Sequence, residues 1–468
     1  MSHRVIFLLG LFFLGCTQKP SSQHQIPSNV SAEIDRRISK ELYQSVSIGV
    51  LYADGSRKYY QYQDQNDTTA LSERSLFELG SLTKTFTAYL AQQHLRDESL
   101  ATIWPELPLD SSVGPISWQA LMSHTAGFPR LPISFDPSNW ANPFQDYSES
   151  DWLQQFKELS VPDSASWAYS NFGFATLGQA ICKVSDQSYE QLMSAILSKA
   201  DMKRTYLSHQ DLEKPQDQIP YHLGIPFDHW EFAGPSRFAG GLISCTEDLL
   251  SYLDFQKNKN PLFTASSIRD KVPTHIPYVA HEDGHLFHKS GWFIFQPNED
   301  HTFLLHNGGT GGFTSFLGFD LNTQTAVAVL SNSLTLVDDI GLGILDSNFQ
   351  LEQPEPTIAW AIAQKINSDW PFDIKKYYSS LIRSGSEEDI LGIYWLERLH
   401  FGRKQFSISG PLSEILVEAL PEDWEANWIR AQNLIAQKNI KEARLYLIEA
   451  NRLFPDHPQL EKSLDKYH

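Results

Sequence analysis

Strand patterns occupy two widely separated parts of this chain, and that separation restricts the fold more than any other feature. Near the start, a helical pattern over 32–42 is followed by alternating runs at 46–52 and 58–62, which flank the turn Ala53-Asp54-Gly55-Ser56. Four more strand-like runs, at 292–296, 302–306, 315–320 and 325–331, come more than two hundred residues later. The stretch between them is helical in places and rich in proline and aromatic residues from 101 to about 186. An early hairpin and late strands can bury their apolar faces together by closing one sheet, with helices covering it. The fold class is therefore α+β, with one domain over 31–349. Beyond the polar, proline-containing bridge 350–356 the pattern is almost wholly helical, so 357–468 reads as an all-α domain. Within it Ala431, Leu434, Ala443, Leu447, Ala450 and Pro455 fall at the small and apolar positions of a tetratricopeptide repeat. The region 424–458 is thus tetratricopeptide-like, or else an ordinary helical hairpin.

The N-terminus carries its own signal. His3 and Arg4 precede an apolar run over 5–14, which is too short to span a bilayer, and Leu14-Gly15-Cys16 ends it. This resembles a bacterial lipoprotein signal, which implies removal of 1–15, lipid on Cys16 and a stable membrane anchor. Thr17 after the cysteine resembles proteins sent to the outer membrane. Residues 16–30, with Gln, Ser and Pro, read as a flexible tether.

Charge and cysteine content exclude several function classes. A net charge of −19 opposes the phosphates of nucleic acid. The three cysteines stand apart, without metal or redox spacing. His281-Glu282-Asp283-Gly284-His285 spells a zinc-protease motif, but the Asp-Gly turn pair within it and the prolines before it leave no helix to carry two ligands. No metal and no cofactor are expected.

Three short motifs carry chemistry. Ser81 and Lys84 form S-x-x-K where a helical pattern begins, so the side chains share a face one turn apart. A serine needs a neighbour to take its proton, and a buried lysine of lowered pKa can do so. Tyr169 and Asn171, in Tyr169-Ser170-Asn171, are expected on one side of a short extended segment. The tyrosine can shuttle protons and the asparagine can orient a substrate carbonyl. His306-Asn307-Gly308-Gly309 ends a strand where glycines permit close approach to the backbone.

Together these motifs resemble the serine β-lactamase and penicillin-binding protein superfamily, in particular its class C-like esterases and D-amino-acid peptidases. Ser123-His124-Thr125-Ala126-Gly127 and Gly240-Gly241-Leu242-Ile243-Ser244 extend the resemblance over roughly 32–349. It implies the β-lactamase-like transpeptidase fold, an antiparallel sheet flanked by helices with a mostly helical part. It also implies Ser81 as acylated nucleophile, Lys84 as its hydrogen-bond partner and Tyr169 as general base and acid. Asn171, His306, Asn307, Gly308 and Gly309 would contact substrate, with an oxyanion hole from the N–H groups of Ser81 and Gly309. His124 is expected to be structural. His306 stands where the family often has lysine, and a largely neutral imidazole attracts a substrate carboxylate less. The expected activity is hydrolysis of a small ester or D-amino-acid peptide or amide at a membrane, with β-lactams a poorer substrate. The alternative is an inert module whose helical C-terminal domain binds a protein or peptide partner. Trp140 and Phe144 are expected to line a substrate groove.

Overall fold

A computed structural model describes residues 25–467, apart from 65–69, 133–134, 136, 138, 163–165, 213–217, 265–267, 277–284, 299–300, 387 and 456–457. The proposed signal, Cys16 and the first part of the tether lie outside the described residues, as does most of the zinc-protease lookalike. Its last histidine opens strand His285–Lys289.

The early hairpin and the late strands do form one sheet. Its eight antiparallel strands run in the order Arg57–Gln63, Ser45–Leu51, Ala326–Ser331, Thr314–Asp320, Phe303–Gly309, Trp292–Gln296, His285–Lys289 and Val272–Pro273. The closure is the pairing of Ser45–Leu51 with Ala326–Ser331, Val50 opposite Val327. Side chains alternate between the two faces, so each apolar run feeds two cores. Leu304, Leu317, Ala326, Ala328 and Leu330 face a large core with Leu82, Phe86, Phe174 and Leu250 from the helices that cover that side. Val46, Ile48, Val50, Phe303, Leu305, Val327 and Val329 face a second core with Val30, Ile34 and Ile340. Burial of each such side chain stabilises the fold by about 1.5–3 kcal/mol.

The first helix, Ser28–Ser39, begins inside the expected tether and buries Val30 completely. Arg37, 1% exposed, fixes it: its guanidinium donates to Glu33 at 2.8 Å and to Asp339, which lies on helix Asp338–Leu345. The hydrolase-like domain is thus packed from residue 28 onward.

Helices Ile358–Asp369, Ile374–Arg383, Ile390–Gly402, Phe406–Ala419, Trp424–Ala436, Ile440–Leu453 and Pro458–Lys466 form the C-terminal region. Ala431, Leu434, Ala443, Leu447 and Ala450 are all buried, and Pro455 is exposed. This region shares a core with the sheet domain: Ala141 and Phe227 pack with Ile358, Ile362, Leu396 and Leu399. Among the described residues no helix is long and apolar enough to cross a membrane.

Candidate active site

Ser81 sits in a single tight turn, Gly80–Leu82, that leads directly into helix Thr83–His94. The turn is pressed against the sheet. Gly80 has φ +51°, and a Cβ there would lie 2.6 Å from the Gly309 carbonyl oxygen; a Cβ on Gly308 would lie 2.1 Å from Leu79 O and 2.9 Å from Ser81 N. Only glycine at both places allows the nucleophile turn and the strand end to meet. The Ser315 hydroxyl donates to Leu79 O at 2.8 Å and secures the contact from the next strand.

Lys84 is fully buried one turn after Ser81, its Nζ 3.0 Å from Ser81 Oγ and 2.7 Å from Ala239 O. Burial pushes its pKa well below the ordinary lysine value, and the nearby Arg130 cation adds to this. Tyr169 stands over it, Nζ being 5.0 Å from the ring centroid. Burial raises the Tyr169 phenol to about 12, although its hydrogen bond to Ser81 and the Arg130 charge pull the other way.

A second motif positions this tyrosine. His124, 2% exposed with φ +59°, accepts Ala168 N–H on its carbonyl at 2.9 Å and Ser170 N–H on Nδ1 at 3.1 Å, gripping the chain on both sides of Tyr169. Ser170 Oγ donates to Pro129 O at 2.6 Å, and Asn171 N donates to Arg130 O at 2.9 Å. The structural reading of His124 holds: burial, then the charges of His288 and Lys84, push its pKa down.

Asn171 lines the pocket at Ser81, but not on an extended segment. It is the first residue of helix Asn171–Ser185, with Ser170 as the N-cap whose Oγ accepts from Gly173 N at 2.7 Å. The cap chemistry of Ser170 overrides the expected two-residue alternation.

The four residues of the third motif separate. Gly309 lines the pocket and Gly308 sits against the Ser81 amide. Asn307 points to the other face of the sheet, where its Nδ2 donates to Asp338 Oδ1 at 2.7 Å, because neighbouring residues on a strand alternate. It is therefore not a pocket residue. His306 is also absent from the pocket wall: 1% exposed, it packs beside Phe293, with ring centroids 5.3 Å apart. Its Nδ1 lies 2.6 Å from Asn307 O, which makes Nδ1 the protonated nitrogen and leaves Nε2 without a partner. Burial first, then the Lys84 charge, hold its pKa down at about 3. The imidazole is therefore held toward its neutral form by burial and lies outside the pocket wall.

The cation at the pocket is Arg130, an exposed residue whose guanidinium lies 5.3 Å from the Tyr169 ring. Nothing in its local sequence marked it beyond its place just after the His124 segment. A second feature escaped sequence reading. Glu78, 3% exposed and three residues before the nucleophile, accepts on Oε1 from Trp230 N at 3.0 Å and lies 3.1 Å from His209 Nε2 and 2.9 Å from His229 Nδ1. Ligand atoms of these three residues lie within 4.8 Å of one another, a grouping with the donor set of a cation site. With Oε1 shared by both imidazoles and a backbone amide, it serves as a hydrogen-bonded hub that ties the segment around 209–230 to the strand before Ser81. Burial raises the Glu78 pKa, and the two histidines outweigh it, leaving the carboxyl below its ordinary value.

The pocket itself holds about 310 Å³, within the range of small-molecule sites. Its lining includes Ser81, Asn171 and Gly309, the aromatic side chains Trp140, Phe144, Phe227 and Trp230, and Trp395 and Leu399 of the helical domain. Trp140 and Phe144 therefore line it as expected.

A sheet closed by pairing an early strand with a late one, with a serine and a buried lysine at a helix start beside it, defines a serine-hydrolase type of site. The chain belongs to the Beta-lactamase family, whose model matches residues 34–345. It is 26% identical over 294 residues to Protein flp of Staphylococcus aureus (strain MW2), covering 59% of this chain and 56% of that protein. It is 30% identical over 232 residues to a beta-lactamase of Providencia stuartii, covering 45% of this chain and 54% of the relative. The chain thus spans little more than half the length of these relatives. A solved class C beta-lactamase superposes with a TM-score of 0.54 at 20% identity, over 70% of this chain and 98% of that one. The β-lactamase-like fold read from the sequence is therefore correct, and the chain is a serine-hydrolase member of this superfamily.

Proposed function

We propose that this protein hydrolyses an ester or a D-amino-acid peptide or amide through an acyl-enzyme on Ser81. The observation that carries this is the fully buried Lys84 amine 3.0 Å from Ser81 Oγ. Burial pushes the lysine pKa down and the Tyr169 phenol up to about 12, so Lys84 is the member of the pair that gives up its proton more readily and can serve as the base. Lys84 Nζ then takes the Ser81 proton as Oγ attacks the carbonyl carbon. This moves the base role from Tyr169, where the family resemblance put it, to Lys84. The N–H groups of Ser81 and Gly309 receive the developing oxyanion. Tyr169 gives its proton to the leaving group and regains one from the Lys84 ammonium, which restores both groups. Water then gives a proton to Lys84 Nζ as its oxygen attacks the acyl carbon, Tyr169 protonates the departing Ser81 Oγ, and the Lys84 ammonium returns a proton to Tyr169.

Arg130, in place of His306, supplies positive charge for a substrate carboxylate. Penicillins and peptide C-termini carry that group; simple esters do not. Export and lipid anchoring through Cys16, at the outer membrane, belong to the same proposal and rest on the N-terminal sequence alone.

Steady-state turnover of p-nitrophenyl acetate by wild type and Ser81→Ala tests the reading. Turnover by the wild type and its loss in the variant are expected; equal turnover by both would refute it.

A further inference from the structure

The helical C-terminal region does not stand apart from the pocket. Trp395 and Leu399, one turn apart on helix Ile390–Gly402, line it together with residues of the sheet domain. The same helix and its end contact other segments that line the pocket. The Arg398 guanidinium lies 5.5 Å from the Trp140 ring, Gly402 is tight against the backbone at Trp140, and Arg403 pairs with Asp228 at 3.6 Å. From helix Ile358–Asp369, Gln364 Nε2 donates to Leu223 O at 2.9 Å, and Phe227 shares the core of Ile358 and Leu396. Every one of these contacts falls on the two segments, around 140 and 223–228, that carry Trp140 and Phe227 of the pocket lining. Several buried polar atoms interrupt that lining, the Tyr147 hydroxyl among them. His222 Nε2 and Trp230 Nε1 are buried without partners. His222 is 4% exposed and keeps its other nitrogen 2.9 Å from Gly311 O, so Nε2 is a bare acceptor.

We propose that Trp395 and Leu399 form an acyl-group subsite, and that the substrate of the Ser81 reaction carries a large apolar acyl group, a chain of about eight carbons or an aryl-alkyl group. This rests on the hydrolase reading above and specifies its substrate. The acyl side is assigned because that part stays bonded to Ser81 through both half-reactions, so contacts with the helical domain act on both. A leaving group seated between two domains would have to escape before water could attack. The helical region is thereby a determinant of specificity for the hydrolase.

The test compares kcat/KM for p-nitrophenyl octanoate and p-nitrophenyl acetate in the full chain. Wild type is expected to favour octanoate. Trp395→Ala should lower the octanoate-to-acetate ratio about tenfold, and Leu399→Phe, which narrows the same part, should shift the preferred chain shorter. Leu391→Ala, on the same helix but 68% exposed and outside the pocket, should leave the ratio as in wild type. A wild-type ratio near one, or a ratio unmoved by both pocket variants, would overturn the subsite while leaving the hydrolase in place. No turnover of either ester and no phosphonate adduct on Ser81 would remove the hydrolase reading, and the subsite with it.

Discussion

The two groups of residues that line the pocket are built in opposite ways. Near Ser81, polar groups from three short motifs converge, each gripped by hydrogen bonds: Lys84 on Ala239 O, Tyr169 between the two His124 contacts, and the turn before Ser81 by the Ser315 hydroxyl on Leu79 O. Around Trp395 the wall is aromatic and aliphatic, drawn from segments near 140, 227 and 395, and held by packing between domains. Chemistry demands fixed distances and therefore local, rigid motifs; an apolar wall demands only shape, and distant segments can supply it. The catalytic group should therefore fail abruptly when altered, and the apolar group should change selectivity by degrees.

Alterations to the polar group should have the largest effects. Ser81→Ala is expected to reduce ester kcat by about 10⁶-fold, as removal of a nucleophile does, in stopped-flow or steady-state assays. Tyr169→Phe should cost roughly 10²–10⁴-fold through loss of a proton donor. The pH profile of kcat/KM distinguishes the roles. Lys84 works deprotonated, so activity should disappear as pH falls through its lowered pKa. Tyr169 works protonated, so the alkaline limb should lie toward 12 and vanish in Tyr169→Phe. The comparison would break if the acid limb sat near the ordinary lysine value.

Smaller effects should arise at the edges. Arg130→Ala should weaken penicillin acylation several-fold with little change for p-nitrophenyl acetate; equal losses for both would mean that the cation acts on the Tyr169 ring and not on substrate. His229→Leu removes one partner of the buried Glu78 carboxylate and should cost about 1–2 kcal/mol in urea unfolding. The folded-state pKa of Glu78 lies below its unfolded value of 4.5, so its stabilisation is present above that pH and is lost as pH falls through the folded pKa. The variant's deficit should accordingly narrow in acid.

What the sequence revealed follows the same division. Ser81 and Lys84 were legible because helical spacing fixes their separation, and the strands because their two-residue alternation divides Leu304 and Leu305 between two cores. The same alternation should have warned that His306 and Asn307 could not both face a substrate. Asn171 was misplaced because the capping hydroxyl of Ser170 starts a helix at that point. Arg130 and the Glu78, His209 and His229 hub left no trace, since their partners come from residues far apart in the chain. The part of the helical domain in the pocket was equally hidden: Trp395 and Leu399 have ordinary helical spacing, and only the packing of Leu396 and Ile358 against Phe227 brings them to the site.

The central claim is an activated serine at residue 81. Intact-mass analysis of residues 17–468 after exposure to a fluorophosphonate, with Ser81→Ala as control, tests it most directly. One phosphonyl adduct on Ser81, absent from the variant, is the predicted result. No adduct on the wild type, or an equal adduct on Ser81→Ala, would contradict it.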